Sequence, residues 1–362
     1  MLSTKQKKLF KELLETVAIS GQEYQMARAL KKHYEPFCDE IIYDNLGSIC
    51  AHKKSKNPNA PKVMVLGHMD EVGLHVGNVT NDGCIHLNPY KLSIWNQVLM
   101  TQRVYIQTRE GKLINGVIDT IPPHMLTPEL REKPMDPAKM FIDVGARSKE
   151  EVEKMGINLF DPVVIRGDFE ELNGGKRLLA KAFDNRYGCI AGVELLEAVS
   201  KLDLDIDLYV GATVQEEVGG MGARALTEII KPDFAIVLDC SPASDMGGGE
   251  NLNGVLGKGV LIRYADRTMI AFPELLRYQE EICDKNGVKY QYFMSPGGTD
   301  AGTIHVLNGG ILTLTHCICA RNIHTCSSIL DVEDYEGALK ALIAMVKDLN
   351  REKIEKFKEA RR

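Results

Sequence analysis

Short apolar runs that each end in a histidine or an acidic residue most constrain how this 362-residue chain can fold. The first run spans residues 63–67 and ends at His68, and similar runs lead into Asp184, Glu217 and Asp239. Runs of this length predict strands buried on both faces of a sheet. In open α/β sheets, ligands bind at the carboxyl ends of the strands. We therefore expect these polar side chains to share one site along one sheet edge.

The secondary-structure pattern of the sequence divides the chain into three parts. Strand and helix patterns alternate up to about residue 71 and again from about residue 167, whereas short alternating strands with turn signals fill the stretch between them. We predict an α/β fold in which residues 1–71 and 167–362 form an α/β/α catalytic domain with a mixed sheet. Residues 72–166 are expected to form an inserted small β-barrel-like domain.

The periodicity also predicts individual helices. They are expected near 4–18 and 22–36, at Lys149–Met155, Gly188–Leu202, Gly222–Ile230 and Pro273–Asn286, and as one long helix from about Val332 to the end. Helical spacing of the apolar residues is the basis for each of these.

Bulk composition argues against several classes of function. The formal net charge of −6 and the pI near 5.9 give no reason to expect nucleic acid or an anionic membrane as a partner. No apolar stretch approaches the roughly 20 residues that span a bilayer, and the N-terminus has no secretory apolar segment. We expect a cytoplasmic protein.

The nine cysteines are an odd number without the spacing of a disulfide framework. Reduced thiols packed in the core are therefore the preferred interpretation. Cys317, Cys319 and Cys326 lie near His324 in sequence, so a structural zinc site is the alternative. Their spacing fits no familiar zinc module, which favours core packing.

Five side chains are candidate ligands of two divalent cations: His68, Asp184, Glu217, Asp239 and His324. A pair of catalytic cations needs one bridging carboxylate and about two further ligands per ion. We expect Asp184 to bridge, His68 and Asp239 to complete one ion, and Glu217 and His324 to complete the other. Zinc suits this donor set, and cobalt or manganese fits nearly as well.

Two further carboxylates have expected catalytic roles beside the ligands. Asp70, two residues after His68, can accept the second imidazole N–H and fix its tautomer. Glu216 is the expected general base, which takes a proton from water and delivers it to the leaving amine. Adjacent strand residues point to opposite faces. Glu216 and Glu217 can therefore share the site only if the strand has already ended, which Gly219-Gly220 favours.

Taken singly, each of these residues has an ordinary structural explanation. Asp184-Asn185 before a helix is a good N-cap pair, and Glu216-Glu217 before glycines is typical of a solvated turn. The prediction depends on their joint arrangement, since each follows an apolar strand pattern in one α/β frame.

Six motifs follow one another along nearly the whole chain: Gly67–Gly73, Ala182–Arg186, Thr213–Gly219, Val237–Asp239, Gly297–Gly302 and Arg321–Thr325. Pro122-Pro123-His124 is a further match within the insertion. In these motifs the sequence resembles the glutamyl (tetrahedral) aminopeptidase family of dinuclear metallopeptidases. The resemblance implies the metal ligands given above, Glu216 as general base, and substrate binding by Gly298, Thr299 and Asp300.

The same resemblance implies an activity and an assembly. Members of the family remove N-terminal residues from short peptides, with the free α-amine of the substrate at a metal. They typically dimerise through the inserted β domain, and the dimers often form a tetrahedral dodecamer. We therefore expect short peptides as substrates and a homo-oligomer, without a residue preference that the sequence identifies.

Three alternatives are weighed against this prediction. A deacylase of N-acylated small molecules would use the same metal pair. An endoglucanase would need two carboxylates about 5–10 Å apart across a sugar ring and usually aromatic platforms, whereas this chain has one tryptophan and 6% aromatic residues. A scaffold without activity is disfavoured because every candidate ligand and the candidate base are present.

Overall fold

The computed structural model describes residues 1–88, 94–119, 121, 123–246 and 253–362, so Pro122 of the expected proline pair lies outside the described residues. The strands are β1 (Glu40–Tyr43), β2 (Ile49–Lys53), β3 (Lys62–His68), β4 (Leu74–Val79), β5 (Ile85–Asn88), β6 (Arg103–Gln107), β7 (Leu113–Ile118), β8 (Phe141–Asp143), β9 (Pro162–Ile165), β10 (Glu170–Leu172), β11 (Arg177–Ala180), β12 (Asp207–Thr213), β13 (Phe234–Pro242), β14 (Val260–Ala265), β15 (Tyr290–Met294), β16 (Leu312–Arg321) and β17 (Ser328–Asp331). The helices are α1 (Thr4–Glu15), α2 (Tyr24–Tyr34), α3 (Pro128–Arg131), α4 (Lys149–Lys154), α5 (Phe183–Val199), α6 (Met221–Ile230), α7 (Pro273–Asn286), α8 (Asp300–Ile304), α9 (Val332–Asp348) and α10 (Arg351–Glu359).

Two separate β structures organise the chain. The larger is a mixed sheet in the order β1-β2-β12-β3-β13-β16-β17-β11-β10, with β14 paired to β16 and β15 to β14. Its centre, β12-β3-β13-β16, is parallel, while the strands on both sides of this centre pair antiparallel. The smaller is a closed barrel in the order β4-β5-β8-β7-β6-β9. The predicted α/β fold with a mixed sheet and a small β-barrel is confirmed.

Strand β3 is apolar along its length because both of its faces are covered by helices. On β3, Val63 and Val65 lie in the core that includes α5, whereas Met64 and Leu66 lie in a second core that includes α6 and α8. Alternate side chains of a strand point to opposite faces, so a strand between two layers reads as one apolar run. The polar residues of β3, Lys62 and His68, are therefore at its two ends, whereas β16 also has Thr313, Thr315 and His316 within the buried strand.

Three helix predictions differ from the structure. Helix α5 begins at Phe183, before the expected Gly188. The expected single C-terminal helix is two helices, because the backbone is extended at Leu349 and the Asn350 side chain caps α10 by accepting the amide of Lys353. The short helices α3 and α8 were not expected, and α3 starts with a proline, which suits the first turn of a helix.

Six of the nine cysteines are buried, as expected, whereas Cys38, Cys84 and Cys326 are half-buried. All nine thiols are free, and Cys317 and Cys319 are buried in a small apolar cluster with Phe293. Among the described residues, the groups that could hold a cation contain no cysteine. Within the same residues, no helix combines the length and apolar character needed to cross a membrane.

A close contact between β3 and α5 sets where the end of β3 lies. A Cβ atom on Gly67 would be 2.9 Å from the backbone carbon of Gly188. Only glycine at this position allows the strand and the helix to pack so closely. The contact places His68, the next residue, beside the start of α5.

We predict that Gly67→Ala lowers the free energy of unfolding by about 1–3 kcal/mol, the usual cost of overpacking a core. Gly297→Ala is the control, because its Cβ would have its nearest neighbour at 3.7 Å, an ordinary contact distance. Denaturant unfolding of both variants and the unmodified chain measures the difference. Equal stabilities for the two variants would contradict the close contact.

Candidate metal centre

The five candidate ligands converge at the carboxyl edge of the parallel strands. His68 is the last residue of β3, and Asp239 lies in the adjacent parallel strand β13. Glu217 lies in the loop after β12, and His324 in the loop after β16. Asp184 lies at the start of α5, which packs against β3 and β13. The fold thus gathers side chains from five separate parts of the chain.

Asp184 lies between the two imidazoles. Its Oδ1 is 3.2 Å from His68 Nε2, and its Oδ2 is 3.2 Å from His324 Nε2. Two groups have potential ligand atoms within 4.8 Å of one another: His68, Asp184 and Asp239, and Asp184, Glu217 and His324. Asp184 belongs to both groups, as a bridging carboxylate must. The assignment of these residues as ligands stays a prediction.

An irregular backbone directs the Asp184 carboxylate. Ala182 is in the left-handed region at φ 57°, and Asp184 and Asn185 depart from helical φ and ψ. The peptide bond between Asp184 and Asn185 is cis. The Asn185 side chain donates to the carbonyl of Leu238 and accepts the amide of Gly188. The first of these hydrogen bonds ties the start of α5 to the strand that carries Asp239, and the second lies within α5.

Asp70 orients His68 and the loop of the two glutamates together. The His68 Nδ1 is 3.0 Å from the backbone carbonyl oxygen of Asp70 and 3.3 Å from its carboxylate Oδ1, which leaves Nε2 facing Asp184. The same carboxylate accepts the backbone amides of Glu216 and Glu217 and the Ser20 hydroxyl. The structure thus brings Asp70 beside the candidate ligand, and its catalytic role stays a prediction.

The cluster concentrates more negative than positive charge in a buried place. Burial raises the pKa of Asp239 well above its usual value, and Asp184 raises it further. Burial lowers the pKa of His324, but its hydrogen bonds to Asp184 and Glu217 prevail and raise that pKa to about 11. Gathered carboxylates are costly without compensating positive charge. Imidazole nitrogens and carboxylate oxygens suit zinc, cobalt or manganese, so the donor set fits two divalent cations.

Glu216 faces the cluster without belonging to either group. Its carboxylate is 3.9 Å from His68 Nε2 and lines the adjoining cavity. Burial raises the pKa of Glu216 well above its usual value. Strand β12 ends at Thr213, and Gln215 is left-handed at φ 57°. The strand has therefore ended before the glutamate pair, as their shared orientation requires.

The cluster opens into a cavity of about 470 Å³. The lining residues are Asp184, Glu216, Glu217, Gly219, Gly220, Asp239, Cys240, Ser241, Pro242, Arg263, Arg267, Thr268, Ser295, Pro296, Gly297, Gly298, Thr299, Thr303, Ile323 and His324. All acidic residues among them belong to the candidate centre, and both arginines lie outside it. Acidic and basic side chains thus both line the cavity.

The predicted substrate-binding residues are only partly on this cavity. Gly298 and Thr299 line it. Asp300 is not among the described lining residues, since it is 2% exposed and accepts a hydrogen bond from Thr213. Thr299 caps α8 and turns the next side chain inward. Direct contact between Asp300 and a substrate is therefore not supported, while the roles of Gly298 and Thr299 stay predictions.

Sequence reasoning did not find the two arginines of the cavity. Arg263 is buried, and its guanidinium is bound by Asp266, Ser241 and the carbonyl of Gly297. Arg267 is exposed on the cavity wall. Neither residue follows a strand that ends at the centre, so no sequence signal connected them to it.

Comparison with known proteins shows what the chain is similar to. The M42 glutamyl aminopeptidase family matches residues 47–341. The glutamyl aminopeptidase of Lactococcus lactis subsp. cremoris is 37% identical, over 96% of this chain and 98% of that protein.

Two solved structures extend the similarity. The TET aminopeptidase of the marine sediment archaeon Thaumarchaeota archaeon SCGC AB-539-E09 has a TM-score of 0.92 and 34% identity, over 98% of this chain and 99% of that chain. The Pyrococcus horikoshii TET1 peptidase, which can assemble into a tetrahedron or a large octahedral shell, has a TM-score of 0.85 and 27% identity. That match covers 95% of this chain and 100% of that chain.

Because Asp184 belongs to both ligand groups, we predict that Asp184→Ala abolishes the binding of both cations. Asp239→Ala should leave about one ion per chain, since Asp239 belongs to one group only. Elemental analysis after dialysis, against about two ions in the unmodified protein, measures this. Asp300→Asn is the matched control, a buried carboxylate outside both groups that should keep both ions. Two ions retained by Asp184→Ala would contradict the shared ligand.

Proposed function

This chain belongs to the M42 glutamyl aminopeptidase family and is therefore an aminopeptidase, and we propose that it acts through two divalent cations and Glu216. Its substrates are short peptides, from which it removes the N-terminal residue. The observation that carries the proposal is Asp184, whose two oxygens face His68 and His324 at 3.2 Å each. Zinc is the proposed metal, and cobalt or manganese would suit the same ligands.

The proposed chemistry divides between the cations and the chain. When bound, the two cations would polarise the scissile carbonyl and lower the pKa of an attacking water. Glu216 would accept the proton of that water and return it to the leaving amine as the peptide bond breaks. Asp70 would hold the His68 imidazole in one tautomer.

The polarity of the cavity supports a free N-terminus as the feature that is recognised. Carboxylates of the centre form one end of the cavity, where an amine would find polar partners. An N-acylated substrate would lose this interaction and would place its acyl group against charged side chains. This disfavours the alternative of a deacylase.

The same polarity supports a preference for an acidic N-terminal residue. Arg267 is exposed on the cavity wall, whereas the charge of the buried Arg263 is paired with Asp266. Outside the candidate centre, the described lining residues include no carboxylate that would attract a basic side chain. The Lactococcus lactis relative, which is named a glutamyl aminopeptidase, agrees with this preference.

An endoglucanase is disfavoured by the cavity wall. Sugar rings usually pack on aromatic side chains, and the described lining residues include no tryptophan, tyrosine or phenylalanine. The two arginines of the cavity and the imidazole of His324 suit the charged groups of a peptide better than a neutral glucan.

We also propose domain boundaries and an assembly. Residues 72–166 would form one domain, which contains every barrel strand, and residues 1–71 and 167–362 would form the other.

The barrel domain, residues 72–166, would contribute to a homo-oligomer, because large apolar side chains are exposed on it at Trp95, Val117 and Phe160. The Pyrococcus horikoshii relative, which can assemble into a tetrahedron or a large octahedral shell, supports a homo-oligomer, and the dodecamer remains the expectation from the family resemblance. Light scattering that gives a monomeric mass would reject the oligomer. A cytoplasmic location remains the expectation from the sequence.

We predict that Glu216→Gln keeps both cations and lowers kcat by about 10²-fold or more, the usual contribution of a general base. Glutamine preserves the shape of the side chain but cannot accept the proton. Turnover of an aminoacyl-anilide and the metal content of the same samples measure the two effects. An undiminished kcat in a fully metallated variant would remove Glu216 from this role.

We predict that Arg267→Ala lowers kcat/KM for a glutamyl anilide about 10-fold, the value of one charge-assisted hydrogen bond of about 1.5 kcal/mol. Activity on an alanyl anilide should change little, because that side chain does not reach the arginine. N-acetylated versions of both substrates should not be cleaved. Equal losses on the two anilides would reject the acidic preference, and cleavage of the blocked substrates would favour a deacylase.

A further inference from the structure

The loop between α1 and α2 lies beside the candidate centre. Within it, the Glu23 carboxylate is 3% exposed, and its Oε1 accepts the backbone amides of Gly21 at 2.7 Å and Gln215 at 3.0 Å. Glu23 is not among the described residues that line the cavity. It therefore reaches the active-site loop only through the backbone of Gln215.

Three consecutive amides of the active-site loop are bound by two buried carboxylates. The amide of Gln215 donates to Glu23 Oε1, the amide of Glu216 to Asp70 Oδ1 at 3.0 Å, and the amide of Glu217 to Asp70 Oδ2 at 3.2 Å. Glu23 thus holds the beginning of the turn, and Asp70 holds the two residues after it.

The turn at Gln215, whose amide donates to Glu23, allows the side chains of both Glu216 and Glu217 to face the cavity. Gln215 has a φ of 57°, a left-handed conformation that is uncommon for residues other than glycine. A buried amide without an acceptor is costly, so the acceptor at Glu23 favours this conformation over a more extended one. An extended Gln215 would let the strand alternation continue and turn one of the two glutamates away.

We propose that Glu23 is a positioning residue of the peptidase reaction, which aims the Glu216 carboxylate by binding the amide of Gln215. The inference rests on the proposed role of Glu216 as general base. Glu23 needs only an acceptor oxygen for this task, and its negative charge is not required. Asp70 still binds His68 and the amides of both glutamates, so a change at Glu23 is expected to alter the direction of the Glu216 carboxylate without releasing the metal ligands.

A purely structural role for Glu23 would have different consequences. If the role were purely structural, Glu23→Ala would lower the stability of the protein and the fraction of folded enzyme. The kcat per folded, metallated chain would be unchanged. A positioning role lowers kcat with little effect on KM, because the reacting groups are misplaced after the substrate has bound.

The test compares Glu23→Ala with Glu23→Gln, which keeps an acceptor oxygen and removes the charge. Gln22→Ala is the matched control, since Gln22 lies in the same loop and its side chain donates to Phe160 O, away from Gln215. For each holoenzyme, kcat and KM on an aminoacyl-anilide, metal content, thermal unfolding and hydrogen exchange of residues 213–220 are measured.

Glu23→Ala is expected to lower kcat about 10- to 100-fold, the scale of a misplacement of about 1 Å, with KM within about 2-fold and both cations retained. Exchange in residues 213–220 should accelerate. Glu23→Gln should stay within about 3-fold of the unmodified kcat, and Gln22→Ala should not differ from it.

Two results would overturn the inference. The first is an unchanged kcat per folded, metallated chain in Glu23→Ala, and the second is an equal loss in the alanine and glutamine variants. Failure of the proposed function is distinguished by Glu216→Gln, because undiminished activity in that variant rejects the base whatever Glu23 does. If Glu23→Ala does not fold, the exchange and kcat of the glutamine variant still decide whether an uncharged acceptor suffices.

Discussion

The accumulation of buried carboxylates around Asp184 is the constraint on which the rest of the structure depends. Asp184, Glu217 and Asp239 lie within a few ångströms of two imidazoles, so their mutual repulsion and burial oppose folding unless positive charge is present. Two divalent cations would provide that charge. The same cations would also give the chain its hydrolytic chemistry. The gathered carboxylates, which oppose folding when no cation is bound, are therefore also the groups that would bind the reactive cations.

The scaffold holds this charged cluster with a small number of short-range contacts. The parallel strands bring His68 and Asp239 to one edge, and the absence of a side chain at Gly67 lets α5 deliver Asp184 against them. Asp70 then joins His68 to the glutamate loop. The cavity beside the centre is lined by acidic and basic side chains, which under the proposed function would bind the charged groups of a short peptide.

The sequence predicted the parts of the site that follow from local pattern. His68 and Asp239 end apolar runs, and the direction of parallel strands places such residues together. Interactions between distant segments could not be predicted this way. Glu23 meets Gln215 only through the tertiary fold, Arg267 lies on no strand of the centre, and the burial of Asp300 depends on its contact with Thr213. The division of the C-terminal helix was missed because apolar spacing continues across the break.

The central claim is that one aspartate is shared by two cations. Anomalous diffraction from crystals of the zinc- or cobalt-loaded protein tests it most directly. The account predicts two anomalous peaks per chain, one on each side of the Asp184 carboxylate, with His68 and Asp239 around the first and Glu217 and His324 around the second. A single peak, or two peaks of which one has no contact with Asp184, would contradict it.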